Sequence, residues 1–316
     1  MNKYTHHIVK YNSEYEDALL QLEQKSPQGK GIKLEMLRDN FMSRAKVFSK
    51  YAMYVGLDES MKNVIGFAGA SVAPCIYDNK LIEAGFGFDL KVDPLYRQQG
   101  LAKKFGMKVV NDFLAKHYIS NYYLTMKSDN TAVAKTVLVV PDKWVTYDFI
   151  YLTIPTFKRI SLKNYDPVDG TRLFRSVLID CPDHCQSYKI ETSSGMGVWK
   201  TYRMYQLKIL DMPYYLRAGG WITNAFTAAS RRLPVKGDVI RFATLYNATT
   251  ENIVHLNDVL KILQREKVQY LNVCCTAADH IYKLLSPYAM NKLSYSMLNT
   301  FGCVNGKSLS LDVRCL

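Results

Sequence analysis

The stretch Val92–Ala102, VDPLYRQQGLA, holds the residues whose types and spacing could do chemistry. Before it comes EAGFGFDLK, and after it KKFGMKVVNDFLAKHY, whose apolar residues recur at helical spacing. A strand therefore ends near Val92, a tight loop follows, and a helix begins near Leu101. A strand that enters a helix through a glycine loop leaves the first helical N–H groups without partners, and these groups and the helix dipole favour an anion. Gly100 lacks a Cβ and lets a ligand approach the backbone, Ala102 is small for the same reason, and Arg97 adds a fixed positive charge. On physics alone this pattern reads as a pyrophosphate site. The bland alternative is a strand-to-helix turn with a surface arginine.

Other residues compete for a chemical role. Cys181, His184 and Cys185 could supply three metal ligands, but no second ligand pair stands at zinc spacing, so no metal site is assigned. Asp89 and Glu83 lie on the strand before the loop and are general-base candidates, although strand carboxylates are more often solvated or paired. Trp221, Arg231, Arg232 and Lys236 could contact nucleic acid or anionic lipid, and a solvated basic helix end is the competing reading.

These residues must be positioned by a chain of 316 residues, of which 48% are apolar, which suggests two domains with sizeable cores. Lysine and arginine number 41 against 28 acids, a net charge of +13 that favours polyanionic partners. No apolar run approaches the ~20 residues needed to span a bilayer, and the N-terminal stretch has no signal-peptide core. Seven cysteines without a CxxC pair suggest free thiols in a reducing interior. An intracellular location, cytoplasmic or mitochondrial, is expected.

Ser13 and Glu16 match a capping box ahead of a helix EYEDALLQLEQK. IKLEMLRDNFMSRAKVF reads as a second helix by its apolar spacing. YAMYVGL, VIGFAGASVAP and AGFGFDLKV read as strands, with turns at DESMKN and at Asp78-Asn79. After the helix Leu101–His117 come a strand ISNYYLTM, a short helix SDNTAVAKTVLVV ended by Pro141, and a strand WVTYDFIYLTIP. The second half repeats the tail of this order. DVIRFATLYN and VQYLNVCC read as strands, each followed by a helix, and the chain closes with a hairpin about Asn305-Gly306.

Arg97-Gln98-Gln99-Gly100-Leu101-Ala102 resembles the R/Q-x-x-G-x-G/A motif of the GNAT N-acetyltransferase superfamily. LKVDP is similar to that family's L-x-V-x-P strand, and SDNTAVAK resembles its N-x-x-A helix opening. The resemblance covers residues 1–155 well and extends over 156–316 as a second, degenerate copy. Within the superfamily the chain is most similar to plant hookless-type acetyltransferases. The resemblance implies an α/β (α+β) GNAT fold, a mixed, mostly antiparallel sheet flanked by helices, in two tandem units. It also implies acetyl-CoA as cofactor and an amine acceptor. The backbone of Gln98, Gln99, Gly100, Leu101 and Ala102 would hold the pyrophosphate beside Arg97. Leu90 and Val92 would pair with the pantetheine arm, the Leu90 N–H would polarise the thioester carbonyl, and Asn130 would contact the pantetheine or phosphate side.

The chain also departs from that family. Many members carry a tyrosine seven residues after the asparagine as general acid, and Val137 stands there instead. Tyr122, Tyr123 and Tyr147 are substitutes that the sequence does not choose among. The second unit has YNATTENIVHL where the loop would be, without R-x-x-G. The main reading is an acetyl-CoA-dependent N-acetyltransferase. The alternative is a catalytically inactive CoA-binding scaffold subunit in a larger, mitochondrial assembly with protein partners, and RNA association is a third reading.

Overall fold

The structure is a computed structural model and describes residues 5–29, 31–130, 144–162, 174–226, 232–302 and 306–316. The chain opens with β1 (His7–Lys10), α1 (Glu16–Gln24) and β2 (Lys33–Leu37). Next come the long strands β3 (Lys50–Leu57), β4 (Val64–Tyr77) and β5 (Lys80–Val92). The loop leads into α2 (Leu101–Lys108), which continues through a wider π turn and a 3-10 turn to His117. β6 (Tyr122–Lys127) and β7 (Val145–Pro155) follow. The second half brings β8 (Phe174–Val177), β9 (Lys189–Glu191), β10 (Gly197–Trp199), β11 (Gln206–Asp211), α3 (Tyr214–Phe226), β12 (Val239–Ile240) and β13 (Phe242–Tyr246). It ends with α4 (Leu256–Arg265), β14 (Tyr270–Cys275), α5 (His280–Leu285), β15 (Asn291–Asn299) and β16 (Leu309–Asp312).

A 13-stranded sheet runs β1-β3-β4-β5-β6-β15-β7-β14-β13-β10-β9, with β16 joining β4 and β8 joining β16. Among the described residues only β5–β6, β13–β14 and β8–β16 pair parallel. β2, β11 and β12 form a small separate sheet. From β3 to β9 the order reads alike from both ends. Exchanging β3 with β9, β4 with β10, β5 with β13, β6 with β14 and β15 with β7 maps neighbour onto neighbour and keeps every strand sense. β15 lies between β6 and β7, so a strand from the second half completes the sheet of the first.

Side chains alternate across a strand, and each face has its own core. One face packs Leu101, Phe105, Phe113 and Leu114 of the α2 region on Tyr54, Ile65 and Val72. The same face packs Leu256, Val259, Leu260 and Leu263 of α4 on Leu152, Ile154 and Leu271. The other face carries Phe86, Phe88, Tyr123, Phe149, Tyr151 and Met297 under α1 and the turns at 41–47.

The strands from β3 to β7, α2, and the hairpin at Asp78-Asn79, both at positive φ (52° and 61°), form as expected. The segment expected as a second helix does not. Lys33–Leu37 pairs with β11 from Gln206↔Leu37 to Asp211↔Lys33, and two short 3-10 turns follow. Pairing to a distant strand overrides the helical spacing. The capping box is not made, because the Glu16 carboxylate instead accepts from Phe41 N at 2.6 Å and from the Tyr11 hydroxyl. β15 and β16 form no hairpin with each other, since β15 pairs with β6 and β7 while β16 pairs with β4 and β8. The expected helix from Thr131 to Val140, Pro141 and Asn305 lie outside the described residues.

Candidate functional site

The site grows from an irregularity in β5. Phe67 pairs with Lys91 and Gly69 with Phe88, so Asp89 and Leu90 together face Ala68. This is a β-bulge, with Asp89 in the left-handed region at φ 53°. The parallel pairing of β5 with β6 covers only Gly85–Gly87 against Tyr122–Leu124. Beyond it the strands part, and among the described residues no strand covers that edge of Phe88–Val92. Asp93 N donates to Ile65 O at 2.9 Å, so by strand alternation the backbone groups of Val92 point to the open edge. The Val92 carbonyl there accepts from Arg97 Nε at 3.2 Å. The side chains of Leu90 and Val92 pack toward α2 and leave the backbone edge clear.

The loop follows directly. Asp93 accepts from Leu95 N at 2.9 Å and starts a 3-10 turn with Pro94 in its first position. Gln98 and Gly100 both take positive φ, 63° and 79°. A Cβ on Gly100 would meet nothing within 4 Å, so conformation rather than crowding selects glycine here. The first intrahelical bond runs from Lys104 N to Gly100 O at 3.1 Å, and no side chain caps the helix. The amides of Leu101, Ala102 and Lys103 therefore have no helical carbonyl to bond. Gln99 is tied down, donating to Leu95 O at 3.2 Å with its Oε1 3.1 Å from His6 Nε2. Arg97, Gln98 and Gly100 are exposed. Behind them Leu101 and Phe105 are buried, and Phe105 lies against Gly56 and Gly66, where a Cβ would come within 2.9 and 3.1 Å of its ring.

Under the bulge lies a buried ion cluster. Asp89 Oδ2 accepts from Arg38 at 2.7 Å and Oδ1 from Arg44 at 2.7 Å. Arg38 also donates to Glu23 at 2.9 Å and to Phe41 O at 3.2 Å, and Lys91 Nζ stands 3.9 Å from Glu23. The Asp89 side chain is 4% exposed, Arg38 1% and Glu23 3%. Burial pushes the Asp89 carboxyl up, but the two guanidinium groups override it and hold the acid well below the usual carboxylate range. Glu23 shifts the other way, because its burial outweighs the attraction of Arg38. Asp89 is thus locked as an anion, which suits an anchor and not a base that must take up a proton near neutral pH. Glu83, the other strand acid, is exposed and 3.0 Å from Lys50.

Arg44 stacks on Phe88 and Tyr205, with centroid distances of 5.6 and 5.9 Å. Tyr205 comes from the second half, and Tyr151 and Tyr295 are further tyrosines near it, their rings 4.6 Å apart. Burial raises all three hydroxyls. Of the tyrosines singled out in sequence, Tyr123 is buried, Tyr147 is half-buried, and Tyr122 packs edge-on against Trp144 on the α2 face. Asn130 is exposed in a turn closed by its N–H to Lys127 O at 2.9 Å. Val137, Arg231 and the Trp221 side chain lie outside the described residues. His184 Nε2 is 2.8 Å from Lys46 O, and no group of three metal-ligating side chains occurs among the described residues. Arg38, Arg44 and Glu23 are the members that sequence reasoning missed. They belong to no motif and come from scattered places in the chain.

No protein-family model matches the sequence, and no curated protein matches it. Solved structures do match the fold. Saccharomyces cerevisiae N-myristoyltransferase with bound myristoyl-CoA aligns with a TM-score of 0.53 at 9% identity, over 95% of this chain and 84% of that one. A second structure of that enzyme with myristoyl-CoA gives 0.54 at 10% identity, over 95% and 81%. A GCN5-related N-acetyltransferase from Kribbella flavida aligns more loosely, at 0.46 and 8% identity over 94% and 71%. The chain shares the fold of that N-myristoyltransferase, a large mixed sheet flanked by helices. Among the described residues no helix is long and apolar enough to cross a membrane.

Proposed function

We propose that the protein is an acyl-CoA-dependent N-acyltransferase. The observation that carries this reading is the conjunction of the open edge at Leu90–Val92 with the uncapped helix start at Gly100–Lys103. In this reading the amides from Gln98 to Ala102 and the α2 dipole hold the CoA pyrophosphate, with Arg97 as the adjacent cation. The pantetheine arm lies along Leu90 and Val92 as an added strand, and Arg97 leaves the Val92 carbonyl for the phosphates. The Leu90 N–H donates to the thioester carbonyl, where negative charge grows as an amine attacks. Asn130 stands on the pantetheine side. Acetyl-CoA is the donor that the loop motif implies, and a primary amine is the acceptor class. Tyr205, whose ring lies beside Arg44 of the bulge cluster, is assigned the general-acid role that Val137 cannot fill.

The symmetric strand order supports two tandem units, 1–155 and 156–316. Residues just past Pro155 already pack with the second unit: Thr156 bonds Val268 O at 2.7 Å, and Ile160 N bonds Asn257 at 2.9 Å. Calorimetric titration with CoA and with acetyl-CoA tests the cofactor reading. Saturation at one ligand per chain is expected, and absence of binding to either would remove the reading. Acetyl transfer to a panel of primary amines, followed by mass, then tests the reaction.

A further inference from the structure

We infer that Arg44 is a positioning residue of this site: by clamping the Asp89 carboxylate it fixes the β5 bulge and so aims the Leu90 N–H at the open edge. The inference rests on the acyl-CoA reading above. Asp89 is a non-glycine residue at φ 53°, a conformation that aspartate tolerates but that a strand does not choose unaided. Its two carboxylate oxygens are each held by a different arginine at 2.7 Å, which fixes the plane of the group as well as its place. The arginines are themselves held. Arg38 bonds Glu23 and Phe41 O, and Arg44 is stacked on Phe88 and Tyr205. On the far side of Leu90, Lys91 reaches Glu23 O at 3.4 Å. Leu90 therefore sits between two residues anchored by side chains, while its own backbone faces the unpaired edge.

The charge count separates positioning from simple neutralisation. Arg38, Arg44 and Lys91 face Asp89 and Glu23, so the cluster holds one more cation than anion. Arg38 and Lys91 alone would balance the two acids. Because an unmatched buried cation is costly, Arg44 is not explained by neutralisation. What it adds is the second point of attachment on Asp89.

The variant Arg44→Met leaves a balanced cluster and is expected to fold. The probe is acetyl-CoA labelled with 13C at the thioester carbonyl, read by infrared difference spectroscopy, with CoA affinity measured alongside. In the wild type the bound carbonyl band moves to lower frequency than in free acetyl-CoA. In Arg44→Met most of that shift is lost, whereas affinity for CoA, which has no acyl carbonyl, stays within about threefold. Arg44→Lys keeps the charge and gives an intermediate band. A purely structural role would leave the band of bound ligand at its wild-type position. A wild-type band in Arg44→Met, or in Arg44→Lys should the methionine variant not fold, overturns the inference while the cofactor reading stands. A wild-type protein that binds neither CoA nor acetyl-CoA overturns both.

Discussion

Two strand-to-helix junctions occupy equivalent places in the symmetric sheet, β5 into α2 and β13 into α4, and they treat their backbone in opposite ways. At the first, Gly100 offers no capping atom and the helix-start amides stay open. At the second, Asn252 is buried and closes the junction. Its Oδ1 accepts from Thr249 N at 2.6 Å, its Nδ2 donates to Asn247 O at 2.8 Å, and its own N–H donates to Thr249 Oγ1 at 3.1 Å. The strand ends differ as well. β5 bulges and no described strand covers its far edge, whereas β13 is buried throughout. Tyr246 at its end donates to Glu191 at 3.0 Å and packs where Gly197 leaves room, its ring atom 2.4 Å from an added Cβ. β8 fills the wedge beyond it, with Asn247 N bonded to Ser176 O at 2.8 Å, leaving a cavity of about 20 Å³. A duplicated architecture can thus keep one anion site and seal the other by changing a few side chains. Thr249 and Asn252 supply internally what a ligand would supply at Leu101–Lys103.

Breaking the first junction should have the largest effect. Gly100→Glu places an acid in the open space before the helix and puts a side chain on a left-handed backbone. Affinity for CoA should fall by at least about tenfold, since repulsion of the pyrophosphate adds to the strain. Calorimetry that shows wild-type affinity would mean the helix start holds no phosphate.

Breaking the second junction should cost stability and leave binding alone. Asn252→Ala removes the side-chain partner of half-buried backbone groups at Asn247 and Thr249, and a loss of about 1 kcal/mol is expected. Denaturant melts measure it, and CoA should still bind once per chain. A second CoA bound by this variant would show that the cap alone keeps the degenerate unit closed.

Arg97→Ala sharpens the comparison at the first junction. The residue is exposed and now bonds the Val92 carbonyl, so its gain on ligand binding is that of a screened surface charge. A loss of about threefold, or ~0.7 kcal/mol, in CoA affinity is expected, shrinking as salt rises. Titrations at low and high salt decide this, and a hundredfold loss would place Arg97 in direct, desolvated contact with phosphate.

The first junction was legible in sequence because it is local. An alternating strand, the loop glycine Gly100 and a helical stripe are all contained between Glu83 and His117, and the motif lies inside them. The ion cluster beneath it was not, because Glu23, Arg38, Arg44 and Asp89 meet only after α1, the turns at 41–47 and β5 have packed. The segment from Ile32 to Phe48 was misread for the same reason. Its apolar spacing fits a helix, and only the β11 partner, brought from residues 206–211, makes Lys33–Leu37 a strand. In the second half, β9 and β10 are three residues each, too short for a period to show. The seal at the second junction depends on Tyr246 meeting Gly197 and on β8 filling the wedge, and neither contact has a sequence signature.

The smallest effect expected concerns pH, and it too divides the junctions. β13 reads FATLY and carries no carboxylate, while β5 carries Asp89. Burial opposes ionisation of Asp89, but Arg38 and Arg44 prevail, so its folded pKa lies below the unfolded value of about 3.9. A depressed acid contributes stability that is present above the unfolded pKa and is lost as pH falls through the folded one. Arg44→Met removes one of the two cations and so depresses Asp89 less. The stability difference between wild type and this variant should then be constant from about pH 5 to 8 and should shrink only below about pH 4, where protonation costs the wild type more. Melting temperatures of both proteins across that range measure it. A difference that changed between pH 6 and 8 would mean that some group other than Asp89 answers to Arg44.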